Sequence, residues 1–368
     1  MIYRRWIPIF LAFLLAACGG ATKNPIVIGV AAPLSGPQAS IGEDVAAAVR
    51  LSVDDLNANV GGIDGRLIEL VEVDDEGSPQ MAVTVAQKLV NTPGMLGVIG
   101  HINSGASLPA SNIYHQANVA MITPGSVNHK LTEQGFHNVF RVIGRDDIQG
   151  SEIAQFIAKT LKSRTVAIVH DKTAYGLGIA EYVRDNLKNL GVKVLLFEGI
   201  TVGDKDFRAL LTKVKGQKPD TLFFGGLFTE SGLLCSQARQ LGLQANYVSG
   251  AGSKEQGLID LLGGQNQKVF ISGLAEPSNS RFALRFEKVY HHIPGPFAPY
   301  AHDATEILLE SIAKAKAKDR ESVITEIAKT QNFPGLGGPI SFDAKGDAVK
   351  APFQFFVIAG NRFVPFQK

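Results

Sequence analysis

The chain has 368 residues, with 36 Lys and Arg against 34 Asp and Glu, and two cysteines. Charge this evenly balanced gives no electrostatic support to a nucleic-acid role, and the length exceeds one ordinary core and suits two lobes of roughly 150 residues each. The first seventeen residues stand apart: Arg4 and Arg5, no acid, a short apolar run from Ile7 to Leu15, then Ala16-Ala17-Cys18. A bilayer-spanning helix needs about 20 apolar residues. A basic head, a short apolar core and small residues at the end read instead as an export signal. Residues 1–17 are therefore expected to be removed, leaving a body that works outside the cytoplasm. No later segment has 18 consecutive apolar residues. Cys235, in Leu233-Leu234-Cys235, has no second thiol within the body to pair with and is expected as a small buried hydrophobe on a helix.

From Pro25 onward apolar runs alternate with helical patterns. Pro25–Val30 reads as a buried strand. Val45, Val49, Val53 and Leu56 recur at helical spacing and stop at Gly61-Gly62, a turn signal. Leu67–Val73 is a second strand, and Ser78-Pro79 opens a helix with Ser as N-cap and Pro at its first position. Gly97–Gly100 and Val119–Ile122 are the third and fourth strands. This βαβα order predicts a parallel sheet with helices on both faces. The order then restarts with a helix over Asp146–Leu161. Strands follow at Thr165–His170, Val192–Phe197, Thr221–Phe224, Tyr247–Ser249 and Val269–Leu274. Between them lie helices over Tyr175–Leu190 and around Phe207, Leu210, Leu211 and Val214. Helices at Phe282–Tyr290, His302–Lys316 and Arg320–Lys329 come next, and a strand at Phe353–Ile358 closes the chain. The fold class is α/β, with two sheets in series.

Open α/β sheets bind ligands at the carboxyl ends of their strands, where helix N-termini present free N–H groups. Two segments fit: His101-Ile102-Asn103-Ser104-Gly105-Ala106-Ser107 after the third strand, and Thr123-Pro124-Gly125-Ser126-Val127 after the fourth. Each offers a hydroxyl and backbone N–H groups to a carboxylate, although Ser104 could equally cap a helix. Enzyme signatures are absent: there is no GxSxG, HExxH or P-loop, and Tyr175-Gly176-Leu177-Gly178 lacks the third glycine of a dinucleotide fingerprint. No cofactor and no metal is expected. His291-His292 reads as a loop and Asp74-Asp75-Glu76 as a solvated strand end.

Leu15-Ala16-Ala17-Cys18 resembles the lipobox of bacterial lipoproteins, which implies that Cys18 becomes the first residue of the mature chain and carries the lipid. Further phrases stand in order along the body: Ala32-Pro33-Leu34-Ser35-Gly36-Pro37, Gly61-Gly62-Ile63, Val98-Ile99-Gly100-His101, Met121-Ile122-Thr123-Pro124, His170-Asp171-Lys172-Thr173-Ala174-Tyr175-Gly176, Gly199-Ile200-Thr201 with Lys205-Asp206-Phe207, and Phe342-Asp343-Ala344-Lys345-Gly346-Asp347. Together they resemble the periplasmic leucine/isoleucine/valine-binding proteins, the type I solute-binding family of ABC importers, over residues 25–358.

The resemblance implies two Rossmann-like lobes joined by a three-strand hinge, one holding 25–145 plus 275–348 and the other 146–274 plus 349–368. It implies a ligand in the cleft between them, a hydrophobic amino acid or related carboxylate. Asn103, Ser104, Gly125, Ser126 and Val127 would grip its acid end, and Tyr175, Phe228 and Ala251 would close over it. The implied partner is an ABC permease in the inner membrane, with the periplasm or cell envelope as the location and a lipid anchor at Cys18. The sequence departs from the family's amino-acid binders at Val127, where a Thr is usual, and at Ala251, where an acid usually pairs the ammonium. Leu227 and Ile41 stand where aromatics are common, and Glu230, a turn or so away, is an acid that could substitute. An aromatic or aliphatic acid without an amino group is thus an alternative ligand under the same mechanism. A ligand-sensing partner of a regulatory system is an alternative role.

Overall fold

A computed structural model describes residues 24–275, 280–351 and 353–367; the export segment and Cys18 lie outside them. The first unit opens with β1 (Ile26–Ala32), α1 (Ala39–Val60), β2 (Ile68–Asp74), α2 (Pro79–Val90), β3 (Met95–Gly100), α3 (Ser104–Gln116), β4 (Ala120–Thr123), α4 (Lys130–Glu133) and β5 (Val139–Arg141). These five strands form one sheet in the order β2-β1-β3-β4-β5, parallel throughout. Every residue of β1, β3, β4 and β5 is buried, as a sheet covered on both faces requires.

The second unit follows with α5 (Asp146–Gln155), β6 (Thr165–His170), α6 (Ala174–Asn189), β7 (Lys193–Gly199), α7 (Arg208–Gln217), β8 (Thr221–Gly225), α8 (Phe228–Gln240), β9 (Asn246–Ser249), α9 (Gln256–Leu262) and β10 (Val269–Leu274). The chain returns to the first unit with α10 (Arg281–Tyr290), α11 (Ala298–Lys314), α12 (Arg320–Ala328) and a small hairpin, β11 (Phe333–Gly335) and β12 (Gly338–Ile340). It ends in the second sheet with β13 (Phe353–Ala359) and β14 (Arg362–Pro365). That sheet runs β14-β13-β10-β9-β8-β6-β7, parallel except for β13 and β14. The chain therefore passes between the units three times: after β5, after β10 and before β13.

Local chemistry sets the element ends. Ser78 caps α2 by accepting the Met81 N–H, with Pro79 at the first helical position, where a missing N–H costs nothing. Gly61 ends α1 in the left-handed region at φ 78°, which favours glycine. Along α1, Val45, Val49 and Val53 are buried at helical spacing, and α11 packs on this helix. Cys235 is fully buried on α8, and burial pushes its thiol up to about 12.

The structure adds α4, α9, β11, β12 and β14, which the sequence reading did not place, and differs from that reading in three further places. The helix expected over Asp146–Leu161 is α-helical only to Gln155 and continues as a π turn over Phe156–Thr160. β5 was not expected, because three residues are too few to show a period. Asp75, read as part of a solvated strand end, is fully buried. Its Oδ2 lies 2.6 Å from His101 Nδ1, and His101 Nε2 lies 3.1 Å from the Tyr114 hydroxyl. A carboxylate with such partners can leave water.

Candidate ligand-binding site

The carboxyl ends of the two sheets face each other across a cavity of about 530 Å³, within the range of small-molecule sites. Of the residues singled out from the sequence, Asn103, Ser104, Gly125, Val127, Tyr175 and Ala251 line it. They arrive from four strand ends, β3, β4, β6 and β9, which is why Asn103 and Ala251, 148 positions apart in sequence, meet here.

Ser104 is the first residue of α3, and Asn103 before it makes no side-chain capping bond. The first N–H groups of a helix have no intrahelical acceptor, so those of Ser104 and Gly105 remain available to a ligand, with the helix dipole behind them. Ser104 does not cap. Its hydroxyl oxygen accepts the Asn128 N–H at 3.3 Å, which leaves its own hydrogen to be given away.

The Gly125–Val127 loop is fixed from beneath. The Gly125 and Ser126 N–H groups both donate to Thr123 Oγ1, at 3.2 and 2.9 Å. Buried Arg141 donates to the Ser126 carbonyl at 2.9 Å. The peptide unit is planar and trans, so the carbonyl and the following N–H point in opposite directions. With the Ser126 oxygen held toward Arg141, the Val127 N–H faces away from it, and it has no partner among the described residues. Ser126 is one step out of register: it is buried, and its hydroxyl bonds the Ser107 hydroxyl and the carbonyls of His101 and Ile102. It does not reach the cavity. Gly125 needs its missing side chain, because a Cβ there would stand 2.6 Å from Ile102 Cγ2.

On the facing side, Thr173 caps α6 by accepting the Gly176 N–H, which places Tyr175 at the start of that helix. The Tyr175 hydroxyl accepts the Gly252 N–H at 2.9 Å, tying α6 to the turn that carries Ala251. Burial pushes the Tyr175 phenol well above its usual range, so it stays a neutral hydroxyl with a hydrogen to donate. Phe228, expected in the lid, lies off the wall: it begins α8, and its ring packs where a Gly257 side chain would stand. Glu230 is also turned away, accepting the Gly203 N–H at 3.0 Å.

The sequence reading missed part of the wall. Gln38, Pro79, Leu108, Lys172, Val202, Leu274 and Phe297 also line the cavity, together with Ile41 and Leu227. Lys172 could have been found, since it follows the end of β6. Leu274 ends β10 just before the second passage between units, Phe297 lies beyond it, and neither carries a local signal. Gln38 is held by Asn103, whose Nδ2 donates to its Oε1 at 2.6 Å. Beneath the wall, Asp171 accepts both the Thr173 N–H and its hydroxyl on one oxygen, while Oδ2 is buried without a partner. Burial pushes this carboxyl up to about 6 against those bonds. Among the described residues no cluster of His, Cys, Asp and Glu could hold a metal ion, and no helix is long and apolar enough to cross a membrane.

Two α/β sheets with a mostly apolar cavity between their carboxyl ends, and free N–H groups aimed into it, define the two-lobed solute-binding proteins. The chain belongs to the periplasmic binding protein family, whose profile matches residues 25–362; this is a solute-binding family, not an enzyme family. The Leu/Ile/Val-binding protein homolog 2 of Brucella abortus is 37% identical over 345 residues, covering 93% of this chain and 92% of that protein. The leucine-binding protein LivK of Thermotoga maritima matches with a TM-score of 0.87 at 27% identity, over 93% of this chain and 98% of that one. LivJ of Streptococcus pneumoniae, solved with isoleucine, matches with a TM-score of 0.83 at 28% identity, over 93% and 99%.

Proposed function

We propose that this protein is the extracytoplasmic solute-binding component of an ABC importer and that it closes on a small apolar carboxylate. The observation that carries this reading is the uncapped N-terminus of α3, with Ser104, opening onto an apolar cavity between the two sheets. Residues 25–145 with 275–348 form one lobe and 146–274 with 349–368 the other. The three passages between them act as the hinge. Ser104, Gly105 and Val127 grip the acid group from the first lobe, and Tyr175 and Ala251 cover it from the second. Ile41, Leu108, Leu227 and Phe297 surround the apolar tail. Branched-chain amino acids are the first named class to test, because the relatives carry those ligands in their names. The closed form docks on a membrane permease, and the body is held in the periplasm by lipid at Cys18.

A ligand that binds only the folded state raises the unfolding midpoint, by an amount that grows with the logarithm of its concentration relative to Kd. Thermal unfolding of the purified protein with leucine, isoleucine, valine and short branched or aromatic acids tests the reading. At least one of them is expected to raise the midpoint. No shift with any, at millimolar concentration, would sink it.

A further inference from the structure

The polar hydrogens open to the cavity outnumber its free side-chain acceptors. The Ser104 and Tyr175 hydroxyls each already accept a backbone N–H, from Asn128 and Gly252, so each turns a hydrogen toward the ligand. The N–H groups of Ser104 and Gly105 at the start of α3, and of Val127, add to them. Thr173 adds nothing, because its hydroxyl donates to Asp171 and accepts the Gly176 N–H. Lys172 is the one charged side chain on the wall among the described residues, and it is a cation.

The acceptor side is thin. Asn103 Oδ1 is buried and unpartnered, but it is neutral. No carboxylate lines the cavity. Glu230 is engaged by Gly203. Asp171 lies behind Thr173, with one carboxyl oxygen occupied by the Thr173 N–H and hydroxyl, and it does not line the cavity. Donors suit a carboxylate. An α-ammonium taken out of water needs acceptors and a negative charge, and this wall supplies neither in full. The apolar remainder of the wall suits a branched or aromatic tail.

Resting on the reading of this cavity as the solute site, we propose that it selects apolar carboxylates that lack an α-ammonium group, branched 2-oxo acids and their deaminated analogues foremost, over the corresponding amino acids. The cavity reads the acid group and the tail; the position of the amino group is a place where an oxo group or a hydrogen costs nothing and an ammonium is penalised.

Isothermal titration of the purified protein with 4-methyl-2-oxopentanoate, 4-methylpentanoate, leucine and 3-methylbutylamine tests this. Both acids are expected to bind, leucine at least tenfold more weakly than the better of them, and the amine not at all. Leucine binding within tenfold of the better acid, or tighter, overturns the proposal and leaves the solute-binding reading standing. Binding by none of the acids and not by leucine overturns both. The Asp171→Asn variant separates the remaining route: the acids are expected to bind it as they bind the parent protein. Leucine binding that is tight in the parent and lost in this variant would make Asp171 the ammonium's counter-charge and end the proposal.

Discussion

At the scale of single residues the site depends on which way each polar hydrogen points. Ser104 accepts from Asn128 and is left as a donor, so under the proposed function Ser104→Ala removes a hydrogen bond to the ligand's acid group and also frees the Asn128 N–H. Leaving a buried partner unsatisfied costs about 1–3 kcal/mol. Titration calorimetry is expected to show ligand affinity lowered by that amount, and unchanged affinity would take Ser104 out of the site. The strand-end rule made this residue legible, as it did Gly125 and Val127, whereas Tyr175 and Ala251 were pointed to by the family resemblance. The rule places a loop but not the side chains within it. Ser126 and Val127 are neighbours, and only the position of buried Arg141, fifteen residues on from Ser126 and donating to its carbonyl, decides which of them faces the cavity. Asp75 was misread for a related reason. Three successive acids look solvated, and nothing local announces His101, the partner that lets one of them sit in the interior.

Among the elements, β5 is the least legible and carries much of the site's support. Its Arg141 is fully buried. It donates to Asp347 at 2.8 Å, to the carbonyls of Ser126 and Asn128 at 2.9 Å, and to the Thr132 hydroxyl at 2.8 Å. Burial lowers the pKa of its guanidinium, and Asp347 acts against that. Asp347 comes from the segment just before the third passage between units, so it joins the hinge to the loop that presents Val127. Breaking a buried ion pair by removing one partner costs about 3–5 kcal/mol. Asp347→Ala is expected to lose that much in urea unfolding and to weaken ligand binding as the loop loosens; a loss below about 1 kcal/mol, the range of exposed pairs, would show that Arg141 finds another partner. The α11–hairpin contact has a different signature. Asp303 accepts the Leu336 N–H, yet burial outweighs those bonds and pushes its carboxyl up to about 7 from 3.8. With the folded value above the unfolded one, the folded state binds more protons between those values, so this group's contribution falls as pH rises from about 4 to 7. Urea midpoints of Asp303→Asn measured across that window are expected to fall less steeply than those of the parent protein. Parallel curves would remove Asp303 from the titration.

For the whole molecule what matters is where polar contacts cross between the units: Asp146 at the start of α5 bonds His129 and the Val127 carbonyl, and a further bond lies at the cleft. Asn128, on the first unit, donates from Nδ2 to the Ala174 carbonyl at the start of α6 on the second, at 2.7 Å. The same residue is anchored by Ser104 and Arg141 on its own side. The bond therefore spans from the loop proposed to hold the acid group to the helix that carries Tyr175, and under the proposed closure it would help set the balance between closed and open arrangements. A ligand touching both walls favours closure only by its differential affinity for the closed form. Whatever lowers the closed population lowers the apparent affinity by the same factor. Removing one such bond costs about 0.5–1.5 kcal/mol, so Asn128→Ala is expected to bind ligand several-fold more weakly while unfolding at nearly the parent's urea midpoint. Small-angle scattering separates closure from direct contact. The unliganded variant is expected to show a larger radius of gyration than the unliganded parent, and saturating ligand is expected to bring the two together. Equal radii without ligand, combined with weaker binding, would mean that Asn128 serves the site through the Ser104 loop alone and that the bond to Ala174 does not govern the hinge.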